Sequence, residues 1–222
     1  MKFLQLAIKV SLLIFIVASC SDSSSTTPTL TLDSKYKNIN TISSFANCSS
    51  SAGTFTTEVR SSKYGDCIFI QWNSEDSIPF IAQLTKSNEG FILDEAHNII
   101  DTLSEIGIEM IRGHEIHRII SSPESFYSNI QYDSSIELEG RKFEVFSATD
   151  GVNNPIKIFY NNSKNRIKKV ELVNPLDSSQ VIEIVNNAWM STEYGKMPKE
   201  VDIIQAKKDT YRFSFNKVEI NQ

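Results

Sequence analysis

The chain has 222 residues, with 22 Lys and Arg against 27 Asp and Glu, a formal net charge of −5, 40% hydrophobic residues and only eight glycines. This mildly acidic balance argues against nucleic acid and against a polybasic membrane patch, while the length suffices for one sizeable core. No Gly-x-Ser-x-Gly elbow, Cys-x-x-Cys, phosphate-cradling glycine-rich loop or calcium loop occurs in it, so no cofactor and no metal is expected.

The chain opens on a secretion signal. Lys2 supplies a positive start, and residues 10–18 form an apolar run of about nine residues, far below the roughly twenty of a membrane-spanning helix. Val17, Ala18 and Ser19 before Cys20 make the aliphatic-small-small-Cys box of a bacterial lipoprotein. The expectation is a signal peptide at 1–19 and a mature chain that begins at Cys20 and is held to a membrane by palmitate-type acyl chains. Losing residues 1–19 removes Lys2 and Lys9 and takes the formal charge from −5 to −7. Ser21, with the acid delayed to Asp22, resembles lipoproteins passed on to the outer membrane, facing the periplasm or the cell surface. Residues 20–34 are rich in Ser and Thr and read as a flexible tether. Residues 35–222 are left as a single domain.

Of the three cysteines, Cys20 takes lipid, and Cys48 and Cys67 remain in a compartment that permits disulfides. A bond between them would close a loop of about twenty residues and stabilise the fold by about 3 kcal/mol. Two buried free thiols are the alternative, because spacing alone does not fix bond geometry.

Ile39, Ile42 and Phe45 recur every three residues and predict a short amphipathic helix within 34–47. The period then changes to two: strands are predicted at 55–59, 67–72, 78–84 and 90–93, with a further one at 99–103. Ser104, as an N-cap, opens a helix running to Ile120 with Pro123 beyond it, weakened by Gly107 and Gly113. Strands return at 135–139, 142–148, 156–160, 167–173, 181–185, 200–205 and 211–220. Connections this short make hairpins, so the sheet is antiparallel. In the last strand Tyr211, Phe213 and Phe215 share a face, and the apolar phase then slips to Val218 and Ile220, which predicts a bulge near Asn216. Several strands are apolar on both sides, as at Ile156, Ile158 and Phe159. The chain is therefore mainly β with one to three helices, an α+β fold, in which helix covers one face and the sheet curls around a hollow. A closed sandwich fits the same periodicity.

The order of a basic strand from Arg166 to Val173, then Trp189, Gly195 and Pro198, then Val201, Ile203 and a final aromatic strand resembles the outer-membrane lipoprotein carrier and receptor superfamily, the LolA/LolB-like proteins, and related lipoproteins of Bacteroidota. The resemblance implies a strongly curved antiparallel sheet forming a half-barrel lidded by helices, with acyl chains in its hollow. Lining candidates are Phe55, Phe69, Phe143, Phe213 and Phe215, with Arg60 as the polar residue inside.

His114 and His117 stand three apart with Glu115 between, whereas the zincin pattern needs four and a third ligand, for which only His97 or scattered carboxylates remain. Glu137 and Glu139 share a strand face without surrounding aromatics and read as solvated. Three readings follow. The favoured one is a non-enzymatic, outer-membrane-anchored lipoprotein that binds lipid or the acyl chains of another lipoprotein, in sorting or transport. The others are a structural lipoprotein docked to an envelope complex with a filled interior, and an envelope hydrolase built on His114 and His117.

Overall fold

The structure, a computed structural model, describes residues 27–73, 78–206 and 209–221. The expected signal peptide, with its expected cleavage box at Val17, Ala18 and Ser19, and the expected lipidation site Cys20 lie outside the described residues. Thirteen strands among the described residues form one antiparallel sheet: β1 (Thr41–Ser50), β2 (Gly53–Ser62), β3 (Cys67–Asn73), β4 (Phe80–Leu84), β5 (Gly90–Leu93), β6 (Ile99–Thr102), β7 (Ser128–Leu138), β8 (Arg141–Thr149), β9 (Pro155–Asn161), β10 (Arg166–Asn174), β11 (Asp177–Thr192), β12 (Gly195–Gln205) and β13 (Asp209–Ile220). Their spatial order is β6-β5-β4-β3-β2-β1-β13-β12-β11-β10-β9-β8-β7, so β1 joins β13 at the centre and the sheet stays open at β6 and β7. The result is the curved half-barrel expected from the hairpin pattern.

Period-two alternation decides which side chains enter the concave face. Along β1 this is Ile42, Ser44, Ala46 and Cys48, all buried. On β2 it is Phe55, Thr57, Val59 and Ser61, of which all but Phe55 are fully buried. The slip in β13 is a bulge at Asn216: Phe45 pairs with Lys217 and Ala46 with Phe215, which returns Val218 and Ile220 to the core side. Trp189 pairs with Pro198 across the β11–β12 hairpin. At its tip Gly195 has φ +111°, and a Cβ there would stand 2.9 Å from the Tyr36 ring, so the turn needs a residue without one.

The helix predicted within 34–47 does not form. A 3₁₀ turn at Ser34–Asn38 buries Tyr36, and β1 begins three residues later. The triplet spacing misleads because Ile39 closes that turn while Ile42 and Phe45 point to opposite faces of β1. The second predicted helix is shorter than its periodicity suggested. Helix α1 (Glu105–Arg112) starts at Ser104, whose Oγ accepts from Gly107 N at 3.2 Å, and stops at Gly113. A π-helical turn at His117–Ser121 and a 3₁₀ turn at Pro123–Ser125 complete the link from β6 to β7. Among the described residues no helix is long and apolar enough to cross a membrane.

This link crosses the concave face and divides it into two cores. Ile108 and Ile111 of α1 pack with Val59, Cys67, Phe69, Ala82 and Leu84 over β2–β4. Ile116, Ile119 and Ile120 pack with Ile42, Val170, Ile184 and other residues of the opposite half. Leu30 and Leu32 join that second core, and Tyr160 donates from its hydroxyl to Thr31 O. The expected tether is therefore packed against the domain from Leu30 onward.

The expected disulfide is absent, and Cys48 and Cys67 are buried free thiols. The register explains why. Cys67 lies opposite Ser61, which lies opposite Ile42, so it is six residues along the sheet from the level of Cys48. That is roughly 20 Å along the strand direction, far beyond the Cα separation of about 7 Å that a disulfide tolerates.

Candidate functional site: a lidded apolar hollow

Between the two cores the concave face is not filled. A hollow of about 410 Å³ remains, walled by Phe55 and Phe69 on one side, Ile182, Ile203 and Phe213 on the other, and roofed by Met110 of α1. Its volume lies in the range of small-molecule sites, about 300–1,000 Å³. His114 bridges the two walls, with its ring 5.0 Å from that of Phe69 and 5.3 Å from that of Phe213. It is half-buried and lines the hollow. Removal from water pushes the His114 imidazole down to about 4, so it is neutral near pH 7. Broader depressions exist on the convex face, including one of about 600 Å³, but that one is open and edged by Glu58, Arg60, Lys217 and Glu219.

The lid is polar inside. Arg112 donates from Nη1 to Glu115 Oε1 at 2.8 Å, and it also reaches Gly65 O and Thr85 O, each at 3.3 Å, and Asn88 Oδ1 at 3.0 Å. It thus ties the end of α1 to the β2–β3 and β4–β5 turns. Burial pushes Glu115 up to about 7 against the opposing pull of Arg112 and Arg118. Arg118, within the π-helical turn, lies 2.6 Å from Glu109 Oε2 and 3.9 Å from Asp150 Oδ2, under the ring of Tyr127 at 5.0 Å. Burial works against its charge, and Tyr127 and Glu109 overcompensate, leaving its pKa above the ordinary value. Glu109, Arg118 and Tyr127 all line the hollow.

Comparison with solved structures finds chains of the same fold. The chain is similar to a LolA superfamily protein from Nitrosomonas europaea, with TM-score 0.58 and 11% identity over 83% of this chain and 87% of that one. The fold is shared with that LolA superfamily protein. Similar too are a DUF1329 family protein from Desulfovibrio piger (TM-score 0.57, 4% identity, 84% and 88% covered) and a domain assigned to outer membrane lipoprotein sorting from Vibrio parahaemolyticus (0.55, 7%, 83% and 86%). No family model matches the sequence, and no curated protein is significantly similar to it.

The hollow takes some of the predicted residues and refuses others. Phe55, Phe69 and Phe213 line it. Phe215 shares the face of Phe213 but borders a separate gap of about 20 Å³ with Val59 and Ile119. Phe143 is buried on the wrong side: alternation along β8 places it opposite Phe146 and Ala148, on the face where Val145, Phe159 and Lys169 align across β8–β10. Arg60 also lies on the convex face, 62% exposed and paired with Glu58. The buried polar residues lining the hollow include Arg118, which the sequence reading missed; its signal was a cation flanked by Ile116, Ile119 and Ile120. His114 and His117 diverge. His117 Nδ1 meets Ser121 Oγ at 3.1 Å, and among the described residues no three His, Cys, Asp or Glu side chains converge as a metal site.

Proposed function

We propose that this chain is a lipid-anchored, non-enzymatic protein of the bacterial cell envelope, held at the outer membrane through Cys20, whose hollow receives an apolar chain: a lipid, or the acyl chains of another lipoprotein. The hollow itself carries the reading. It is bounded by aromatic and aliphatic side chains from seven strands and is left open between two otherwise well-packed cores, where a protein needing only stability would close the space. The lipoprotein box at residues 17–20 supports the anchor, and the sorting role assigned to the Vibrio domain supports an envelope task of the same kind.

The test is direct. The mature chain carrying Cys20→Ala, purified without detergent and extracted with organic solvent, is expected to release lipid. Stripped of it, the protein is expected to bind an uncharged fluorescent dye such as N-phenyl-1-naphthylamine with one-to-one stoichiometry. Absence of both lipid and dye binding would remove the carrier reading and leave only the anchor.

A further inference from the structure

The open sheet ends at β6, and β6 buries nothing. It is an outermost strand, paired only with β5, and all four of its residues are exposed, whereas every other strand among the described residues has at least one side chain half-buried or better. Two of the four are Ile99 and Ile100, 60% and 63% exposed. On the convex face Ile70 pairs with Ile81, Ile81 with Leu93 and Leu93 with Ile99. Ile81 and Leu93 are buried, so this apolar row is packed in its middle and breaks off at Ile99. Ile92 pairs with Asp101, which makes Ile100 the extra residue of a bulge and sets both isoleucines opposite Leu93 at the free edge. One further strand beside β6 would continue the row and cover them.

Charge decides what that strand can be. Between Lys86 and Arg112 the sequence has six acidic residues and no Lys or Arg. Asp101, in register with Ile92 and through it with Ala82, faces the concave side, and α1, with Glu105 in its first turn, lies over that same side. The edge is therefore apolar on one face and acidic on the other. A second copy brought edge to edge would set these carboxylates against their own kind, which is how exposed edges are kept from pairing with themselves. An extended segment in which Lys or Arg alternates with apolar residues matches both faces at once.

We propose that β6 is a docking edge for a basic, extended segment of a partner protein, added to the sheet as a further strand with its apolar side chains on Ile99 and Ile100 and its cations beside Asp101 and Glu105. Neither isoleucine lines the hollow, so this edge and the apolar-ligand reading above stand or fall separately.

The experiment is fluorescence anisotropy of short labelled peptides with the mature Cys20→Ala chain. A peptide of alternating Lys and Val is expected to bind at least about tenfold more tightly than one of alternating Glu and Val or of alternating Lys and Ser, and to weaken several-fold as salt rises from about 50 to about 500 mM. With it bound, amide exchange across residues 99–102 is expected to slow by about tenfold. The double variant Ile99→Thr, Ile100→Thr keeps β-branched side chains at an exposed edge; it is expected to melt as the parent does and to lose about tenfold in affinity. No saturable binding, equal binding of the Lys-Ser peptide, or unchanged exchange across β6 overturns the proposal. So does displacement of N-phenyl-1-naphthylamine by the peptide, which would place it in the hollow. Self-association of the free chain that the double variant abolishes would assign the edge to a second copy and overturn it too.

Discussion

Arg112 and Glu115 form an ion pair that solvent does not reach: their side chains are 7% and 0% exposed, and Nη1 stands 2.8 Å from Oε1. The pair sits where α1 gives way to the rest of the lid, and the same guanidinium binds carbonyls of two strand turns. Removing one partner of such a pair strands the other as a buried charge, at about 3–5 kcal/mol. Arg112→Met is therefore expected to lower urea stability by that order, and the double variant Arg112→Met, Glu115→Gln to recover a large part of it. Additive losses in the double variant would show that the charge pairing is not what holds the lid.

Acid sensitivity follows from the lid histidines. Burial pushes His114 and His117 down to about 4 from an ordinary 6.5, so between those values the unfolded chain binds protons that the folded chain refuses. Stability contributed by these groups falls as pH drops through this window, by about 1.4 kcal/mol per pH unit for each. Glu115 has the opposite sign. Raised to about 7, it is protonated in the folded state where the unfolded carboxyl is already ionised, so its contribution grows as pH falls from 7 to 4.5. One histidine is left uncompensated. Urea midpoints are expected to decline from pH 6.5 to 4.5 with a slope near one proton. His114→Phe keeps an aromatic ring between Phe69 and Phe213 and is expected to bring that slope close to zero. A variant as acid-sensitive as the parent would show that His114 titrates normally.

The strands and their hairpin order were legible because alternation is a local property: the bulge at Asn216 follows from the phase slip between Phe215 and Val218 alone. Strand β1 was missed because its concave side carries Ser44 and Ala46 between Ile42 and Cys48, too little apolar contrast to reveal a period of two. The division of aromatics between hollow and convex face was not local at all. Phe143 and Phe213 sit in similar alternating runs, and only the curvature of the whole sheet, with the lid laid across it, determines which of them borders empty space. Arg118 needed the same global information. Its flanking isoleucines announce burial, while the hollow it lines is assembled from strands as distant in sequence as β3 and β12.

The register between β1 and β3 makes a redox prediction. Cys48 is 2% and Cys67 3% exposed, and burial pushes the Cys48 thiol up to about 12 and raises that of Cys67 as well. Such thiols are inert while the protein is folded. The mature Cys20→Ala chain is expected to show no fast reaction with a thiol reagent when native and two reactive thiols when unfolded without reductant, with a melting temperature that reductant does not change. Finding no thiols in the unfolded, unreduced chain would restore the disulfide.

Filling the hollow tests whether ligand and cavity coincide. Ile203 of β12 lines it, is only half-buried, and pairs in register with Ile184 and Tyr211. In a packed core Ile203→Trp would overpack and cost about 1–3 kcal/mol. Here the indole has open volume to occupy, so the stability change is expected to stay within about 1 kcal/mol while affinity for N-phenyl-1-naphthylamine drops at least tenfold. Arg60→Ala, on the convex face, is the matched control and should leave dye binding unchanged. Unaltered dye affinity in Ile203→Trp, together with a loss in Arg60→Ala, would move the binding site out of the half-barrel and onto the charged depression beside Glu58.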